Sequence, residues 1–334
     1  MLGIIGIELG LIPLDFIPFA IVKPMPDVSV IIPVYNGEAD LPELIDCLRS
    51  QTYPADQVEY LLIDNNSGDR SFDILNAAST SQPGNILIHP LQENKIQSSY
   101  AARNRGIRAA RGEILAFTDM DCRPQPQWLA ELIQPFNDKN IGIVAGEILA
   151  LPGNSWLERY ADRQETLSQK HTLANSFCAY GQTANLAIRR AAFEQVGLFR
   201  PHLTTGGDAD ICWRIQQKTN YKLDFVETAI VKHRHRSTLD ELRSQWYRYG
   251  KSNRYLHQLH GIPLMKRMTS KDYFYRWGRW VLKELPRNGI KTIIGKADIV
   301  DLLNTPINLY TISAREKGQK ESRISDSARE IEWL

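Results

Sequence analysis

The chain has 334 residues, 43% of them hydrophobic and 23% charged, with a formal net charge of +2. That balance excludes a disordered or collagen-like chain and allows a substantial core, as one large domain or one domain with a small appendage. Cys47, Cys122, Cys178 and Cys212 are widely spaced and form no Cys-x-x-Cys pair, which argues against a zinc site or a disulfide scaffold and suits a reducing compartment.

The N-terminal residues 1–24 form an apolar tail. Glu8, Asp15, Pro13 and Pro18 interrupt it and it has no basic n-region, so it reads as a surface-packed or membrane-brushing segment and not as a spanning helix or a signal peptide. Met25, just ahead of the first strand, is an alternative start of translation.

From residue 28 the pattern becomes regular. Residues 28–36 are a β-rich apolar run that stops in a Pro/Tyr/Asn/Gly turn, and residues 41–48 carry apolar side chains at helical spacing. A second strand, 58–63, ends on Asp64, Asn65, Asn66, Ser67, Gly68 and Asp69, which are also ordinary turn formers. A short strand at 85–89 and a helix at 98–110 carrying Arg103, Arg105 and Arg108 follow. The apolar run 114–117 then delivers Thr118-Asp119-Met120-Asp121. Strands alternating with helices imply right-handed crossovers and a mostly parallel sheet, with the loops of interest on one edge. Two aspartates one residue apart can present oxygens to a single hard cation, Mg²⁺ or Mn²⁺. With 20 Asp in the chain, roughly one Asp-x-Asp arises by chance, so setting carries the argument and spacing does not.

Taken together, Val-Ser-Val-Ile-Ile-Pro-Val-Tyr-Asn from residue 28, the strand ending Asp64-Asn65-Asn66-Ser67, Ala102-Arg103-Asn104-Arg105-Gly106, and Gly112-Glu113 ahead of Asp-x-Asp make residues 28–236 resemble the family-2 glycosyltransferases. The resemblance implies a GT-A fold over 25–236, a Rossmann-like α/β sheet flanked by helices, with a nucleotide-binding half (25–125) and an acceptor half (126–236). It implies an inverting enzyme that moves a sugar from a nucleotide-diphosphate sugar to an acceptor hydroxyl, in cell-envelope saccharide or glycolipid synthesis. By the same resemblance Pro33, Tyr35, Asn36, Asp64, Asn65, Ser67, Arg103 and Asp119 serve the nucleotide. Asp121, helped by Asp119, takes the Mn²⁺ or Mg²⁺, and His233 is a further contact. Many relatives carry a second acid where Asn65 stands, which leaves the base open.

The acceptor half begins with a helix at 128–136 and a strand at 141–150. Residues 156–170 read as one polar helix with a solvated face. The segment 180–190 resembles a Gly…Asn-x-Ala-x-Arg-Arg element under the acceptor cleft and contributes Asn185. Thr205-Gly206-Gly207-Asp208-Ala209-Asp210 opens a helix, and acids there also suit its dipole. The resemblance makes Asp208 the catalytic base and Asp210 supporting, with Gly207 standing where Glu is common. Strand alternation places His233 and His235 on one face. Gln245-Trp246-Tyr247-Arg248-Tyr249 is close to a Gln-x-x-Arg-Trp motif and adds Trp246 and Arg248 to the acceptor region.

The C-terminal region, 237–334, is a helical, basic and aromatic appendage. Between Arg243 and Lys296 stand thirteen Lys or Arg against only Asp272 and Glu284, so the rest of the chain is net acidic. Tyr273, Phe274, Tyr275, Trp277 and Trp280 interleave with Arg276, Arg279 and Lys283. This pattern favours an interfacial helix on an anionic membrane over nucleic acid, since each basic residue near such a surface contributes about 1 kcal/mol. Residues 311–334 read as a charged, fraying end. The expected partners are thus a nucleotide sugar, a saccharide or lipid-linked acceptor and an anionic membrane surface, and the expected location is cytoplasmic, at the inner face of the membrane. Two rivals share the pattern. A haloacid-dehalogenase-like phosphotransferase also follows an apolar strand with Asp-x-Asp, but carries it near the domain's start and has Thr or Val where Arg123 stands. A non-catalytic sugar-nucleotide-binding scaffold at the membrane is the other.

Overall fold

A computed structural model describes residues 27–80 and 86–334. The expected tail at 1–24, the alternative start at Met25 and Asn85 at the head of the third strand lie outside the described residues.

An eight-stranded sheet runs through the chain in the order β3-β2-β1-β4-β7-β6-β8-β5. β1 (Val28–Val34), β2 (Val58–Asp64), β3 (Leu87–Gln92) and β4 (Ile114–Thr118) are parallel. β1 is apolar on both faces, as a central parallel strand must be. Val28, Val30, Ile32 and Val34 pack in one core layer with α1 (Leu41–Arg49) and α4 (Trp128–Ile133). Ile31 points to the other layer, with α3 (Ser99–Ala109), α7 (Arg190–Val196) and α8 (Gly207–Lys218). A further helix, α2 (Ser71–Thr80), completes the first half.

The sheet is not parallel throughout. β7 (Asn185–Arg189) pairs antiparallel with both β4 and β6 (Ile141–Ala150), while β6 and β8 (Lys222–His233) are again parallel. The short β5 (Cys122–Pro124), directly after the Asp-x-Asp turn, pairs antiparallel with the end of β8, setting Cys122 opposite His233. That register brings residues from two distant parts of the chain to the loop edge of β4.

Two expectations are corrected. Residues 156–170 are not one solvated helix: α5 (Trp156–Arg163) stops ahead of Glu165, whose φ is 47°, and α6 (Gln169–Leu173) starts afresh. Leu157 and Tyr160 are buried in a cluster with Leu242 and Ile307, and the Ser168 hydroxyl and Gln169 N–H donate to the buried Glu147. Nor does the chain end fray. α12 (Ile299–Glu321) lies along α9 (Leu239–His260), and backbones touch where Gly250 meets Arg315 and Gly318 meets Tyr247. Beyond it Ile324 and Ala328 are buried, the Leu198 N–H donates to the Glu332 carbonyl, and the Glu332 carboxylate accepts from Asn104 and Arg108. Between α9 and α12 run α10 (Ser270–Arg279), a π-helical turn (Trp280–Glu284) and α11 (Leu285–Ile293), none of which has a buried residue. Among the described residues no helix is long and apolar enough to cross a membrane.

Candidate active site

The two aspartates that end β4 face different partners. Asp119 accepts from Arg103 Nη2 at 2.5 Å, and Arg103 is itself buried on α3. Asp121 turns to the end of β8, where its Oδ1 lies 3.2 Å from His233 Nε2 and its Oδ2 3.8 Å from Arg236. His233 Nδ1 lies 2.7 Å from the Arg234 carbonyl, which can only accept, so Nδ1 carries a proton and Nε2 faces the carboxylate. Burial opposes charge on both groups, but each favours the other's ionised form, so the Asp121 carboxyl is held low and the His233 imidazole is raised.

A carboxylate oxygen and an imidazole nitrogen this close fit a divalent cation, and Cys122 Sγ lies within the same 4.8 Å cluster. Burial drives the Cys122 thiol far up, its Sγ lies 3.8 Å from the Ala184 carbonyl oxygen, and a soft sulfur ligand suits Mn²⁺ or Mg²⁺ less well than the carboxylate does. Asp119 is not a member of that cluster. It pairs with Arg103 and lines the cleft described next.

A cleft of about 510 Å³ opens over this turn. Of the expected nucleotide residues, Pro33, Tyr35, Asn65, Arg103 and Asp119 line it, together with Asp121, His233 and Arg248. Tyr35 is 49% exposed, an aromatic face available for a base. Asn36, Asp64 and Ser67 do not line it. Asn36 and Ser67 lock two loops, the Asn36 N–H donating to Ser67 Oγ at 2.9 Å and Gly68 N–H to Asn36 Oδ1 at 2.8 Å. Asp64 sits just behind, buried, with Oδ1 lacking a partner. Asn65 turns its amide away, donating to the Glu93 and Ile96 carbonyls, and so anchors the loop ahead of α3.

Asp208 lines a smaller adjoining pocket of about 220 Å³ with Tyr100, Tyr180 and Tyr249. The two cavities are lined by sequence neighbours, Ser99 with Tyr100, Thr204 with Thr205, and Arg248 with Tyr249, and Asp208 feels the charges of Arg103 and Asp119 in the cleft. Asp208 Oδ1 accepts from Thr183 Oγ1 at 3.0 Å. Burial pushes its carboxyl above the ordinary range, Arg103 pulls it down and Asp119 pushes it up again. A raised carboxyl is what a general base working near neutrality needs.

Gly207 has a local reason. A Cβ there would lie 2.7 Å from the Tyr100 ring, whose hydroxyl accepts from the Gly207 N–H at 3.0 Å. The tyrosine occupies the space that the common Glu would need.

The remaining acceptor residues divide. Asp210 is wholly buried and faces away from Asp208, into Arg200, Arg214 and His260 at 3.2, 3.0 and 2.9 Å, which hold its carboxyl at about 2. It anchors α8 and lines neither of these two cavities. Asn185 is likewise buried, accepting from Trp128 Nε1 at 2.7 Å and donating to the Glu147 and Ala229 carbonyls. Trp246 packs against Arg315 between α9 and α12, away from the cleft. Arg248 alone of the four reaches it. His235 does not join Asp121; burial and the charge of His233 depress its imidazole to about 4. Sequence reading missed Arg236, Tyr100, Tyr180 and Tyr249. Arg236 directly follows His235, but only the β5–β8 register aims it at Asp121.

A family model described as glycosyl transferase family 2 matches residues 29–197, just over half the chain, and one described as glycosyl transferase family group 2 matches 114–287. The glycosyltransferase AglE of Haloferax volcanii is 35% identical over 72% of this chain and 78% of its own length. A pre-mycofactocin glycosyltransferase of Mycobacterium tuberculosis is 29% identical over 68% of this chain but 46% of its own. Among solved structures, a mannosyltransferase from Pyrobaculum calidifontis in complex with GDP-Man and Mn²⁺ superposes with a TM-score of 0.59 at 17% identity, covering 90% of this chain and 89% of its own. Glucosyl-3-phosphoglycerate synthase from Mycobacterium tuberculosis, with Mn²⁺, UDP-glucose and phosphoglyceric acid, gives 0.53 at 21%, covering 71% and 81%. The fold is that of the GT-A glycosyltransferases, none of this supports a phosphotransferase, and the chain belongs to glycosyl transferase family 2.

Proposed function

We propose that the chain transfers a sugar, with inversion, from a nucleoside-diphosphate sugar in the cleft over β4 to an acceptor hydroxyl beside Asp208. The observation that carries this reading is the division of acids between two adjoining cavities. Asp121 with His233 offers a low-lying carboxylate and an imidazole in one, and Asp208 offers a raised carboxyl in the other.

Asp121 and His233 would hold the Mn²⁺ or Mg²⁺, which when bound supplies positive charge to the departing diphosphate. Arg103, Arg236 and Arg248 line the same cleft and favour negative charge there, so they stabilise the leaving group as its charge grows. Tyr35 stacks on the base. Asp208 accepts the proton of the attacking hydroxyl, and Thr183 orients its carboxylate. The pairing of Arg103 with Asp119 keeps that guanidinium over the cleft. The bound donors and Mn²⁺ of the two structural neighbours support the choice of donor class and cation.

The exposed helices support a peripheral site of action at the inner face of an anionic membrane. Phe274, Leu282 and Ile293 are 79%, 81% and 86% exposed and stand among Arg276, Arg279, Lys283, Arg287 and Lys291. The test is a screen of UDP-, GDP- and dTDP-sugars with Mn²⁺ for thermal stabilisation and then for turnover. One class should raise Tm and be consumed. Stabilisation by none of them, with or without Mn²⁺, would refute the reading.

A further inference from the structure

Beyond the donor cleft, a groove of about 950 Å³ runs between α9 and α12, with Arg236, Arg243, Arg248 and Lys317 along it. Three acids, Asp240, Glu241 and Glu321, line it too, and two of them are committed: Glu241 accepts from the N–H groups of Ser237 and Thr238 at the head of α9, and Asp240 lies 3.5 Å from Arg243. Arg248 and Lys317 make no ion pair among the described residues. At its inner end the groove shares Arg236 and Arg248 with the donor cleft.

At its outer end it shares Tyr310 with a second cavity, of about 430 Å³, whose walls are nearly all apolar: Trp156, Leu239, Trp277, Leu303 and Ile307 among them. Trp277 belongs to α10, the helix that carries the exposed apolar side chains. Shared lining residues thus set three surfaces side by side in one order: a diphosphate-sized cleft, a groove carrying four cations, and an apolar cavity beside the exposed helices.

From this order of surfaces we infer that the acceptor is a phosphorylated amphiphile. Its phosphate or diphosphate sits among Arg236, Arg243, Arg248 and Lys317, and its hydrocarbon chain enters the cavity under Tyr310. A saccharide end without a lipid would have no use for the apolar cavity, and a neutral lipid none for the cations. The inference rests on the reading of the cleft over β4 as the nucleotide-sugar site. It deepens that reading by naming the acceptor class.

The test uses the full chain and three soluble probes, farnesyl phosphate, farnesol and inorganic phosphate, each measured by equilibrium dialysis. UDP and GDP with Mn²⁺ are measured separately for the donor cleft. Farnesyl phosphate should bind about tenfold or more tightly than either fragment, because both the groove and the apolar cavity are engaged. Arg243→Glu with Lys317→Glu, both exposed side chains, should remove the advantage over farnesol while leaving nucleotide affinity and Tm unchanged. Trp277→Ala should weaken farnesyl phosphate and farnesol alike.

A protein that binds nucleotide with Mn²⁺ but not farnesyl phosphate would overturn the inference and leave the donor reading standing. So would farnesyl phosphate affinity that the double charge reversal does not change. Loss of nucleotide binding by the unaltered protein would instead strike the donor reading, and the acceptor inference would fall with it.

Discussion

Asp208 and Asp210 are two residues apart on α8, yet their environments assign them opposite kinds of work, and Asp210→Ala separates the two. Asp210 is 0% exposed and accepts from Arg200, Arg214 and His260, and its carboxyl sits at about 2 against an ordinary 3.8. That depression corresponds to about 2 kcal/mol of folding stability at neutral pH. Because the folded value lies below the unfolded one, that stability is present above about pH 4 and is lost as pH falls toward 2. Truncation costs more than this linkage figure, since it leaves the Arg214 guanidinium buried without its carboxylate. Breaking one side of a buried pair costs about 3–5 kcal/mol. Arg214 keeps its bonds to the Val196, Gly197 and Leu198 carbonyls, which argues for the lower half of that range.

At about 2–4 °C per kcal/mol for a chain of this class, Asp210→Ala should lower Tm by roughly 6–16 °C at pH 7. The gap to the unaltered protein should narrow toward pH 3. Protein that stays folded below the lowered Tm should bind nucleotide and turn over near normally. Thermal unfolding followed by circular dichroism at the two pH values, with turnover at 20 °C, is the assay. A variant that keeps its Tm but loses turnover would refute the division and make Asp210 the reacting acid.

Other expectations follow from the same geometry. Asp208→Asn should abolish transfer. It should leave Tm at pH 7 unchanged or raise it, because a carboxyl whose folded value is raised contributes less stability once pH exceeds its unfolded value, and the amide removes that cost. For the same reason the acid limb of the kcat profile should lie above the ordinary carboxylate range, and a limb at pH 4 or below would contradict the assignment of the base. Gly207→Glu should lose activity through displacement of the Tyr100 ring, and pairing it with Tyr100→Ala should recover stability relative to the single variant; purely additive Tm losses would show that the contact does not matter. Gly318→Val should unseat α12 from α9, because a Cβ there would lie 2.0 Å from the Tyr247 carbonyl oxygen. A loss of about 3 kcal/mol or more in urea unfolding is expected.

Much of this molecule was legible in one sequence because the strands of the first half are apolar on both faces and end in polar turns. β1, β2 and β4 and the Asp-x-Asp turn fell where the pattern put them, give or take a residue or two. What periodicity does not carry is the pairing of distant segments. His233 and Arg236 meet Asp121 only because β5 pairs with the end of β8, and Asp119 meets Arg103 only because α3 packs beside β4's end. The same holds for the partners that the expected site residues find in space. Asn65, Asn185 and Trp246 satisfy carbonyls or fill helix contacts, and their identity alone does not distinguish those tasks from ligand binding. The polar stretch 156–170 hid a break at Glu165 because the buried Glu147 carboxylate, a strand away, receives the Ser168 and Gln169 donors. The charged chain end hid a clamp, since Glu332 finds Asn104 and Arg108 more than two hundred residues earlier.

The central claim is that Asp121 serves the donor and Asp208 the acceptor. Titration of UDP and GDP with Mn²⁺ into the unaltered protein, Asp121→Ala and Asp208→Ala tests it most directly. The unaltered protein and Asp208→Ala should bind the preferred nucleotide alike, and Asp121→Ala should lose most of its Mn²⁺-dependent affinity, although both variants lack transfer. Equal nucleotide affinity in the two variants would contradict the account.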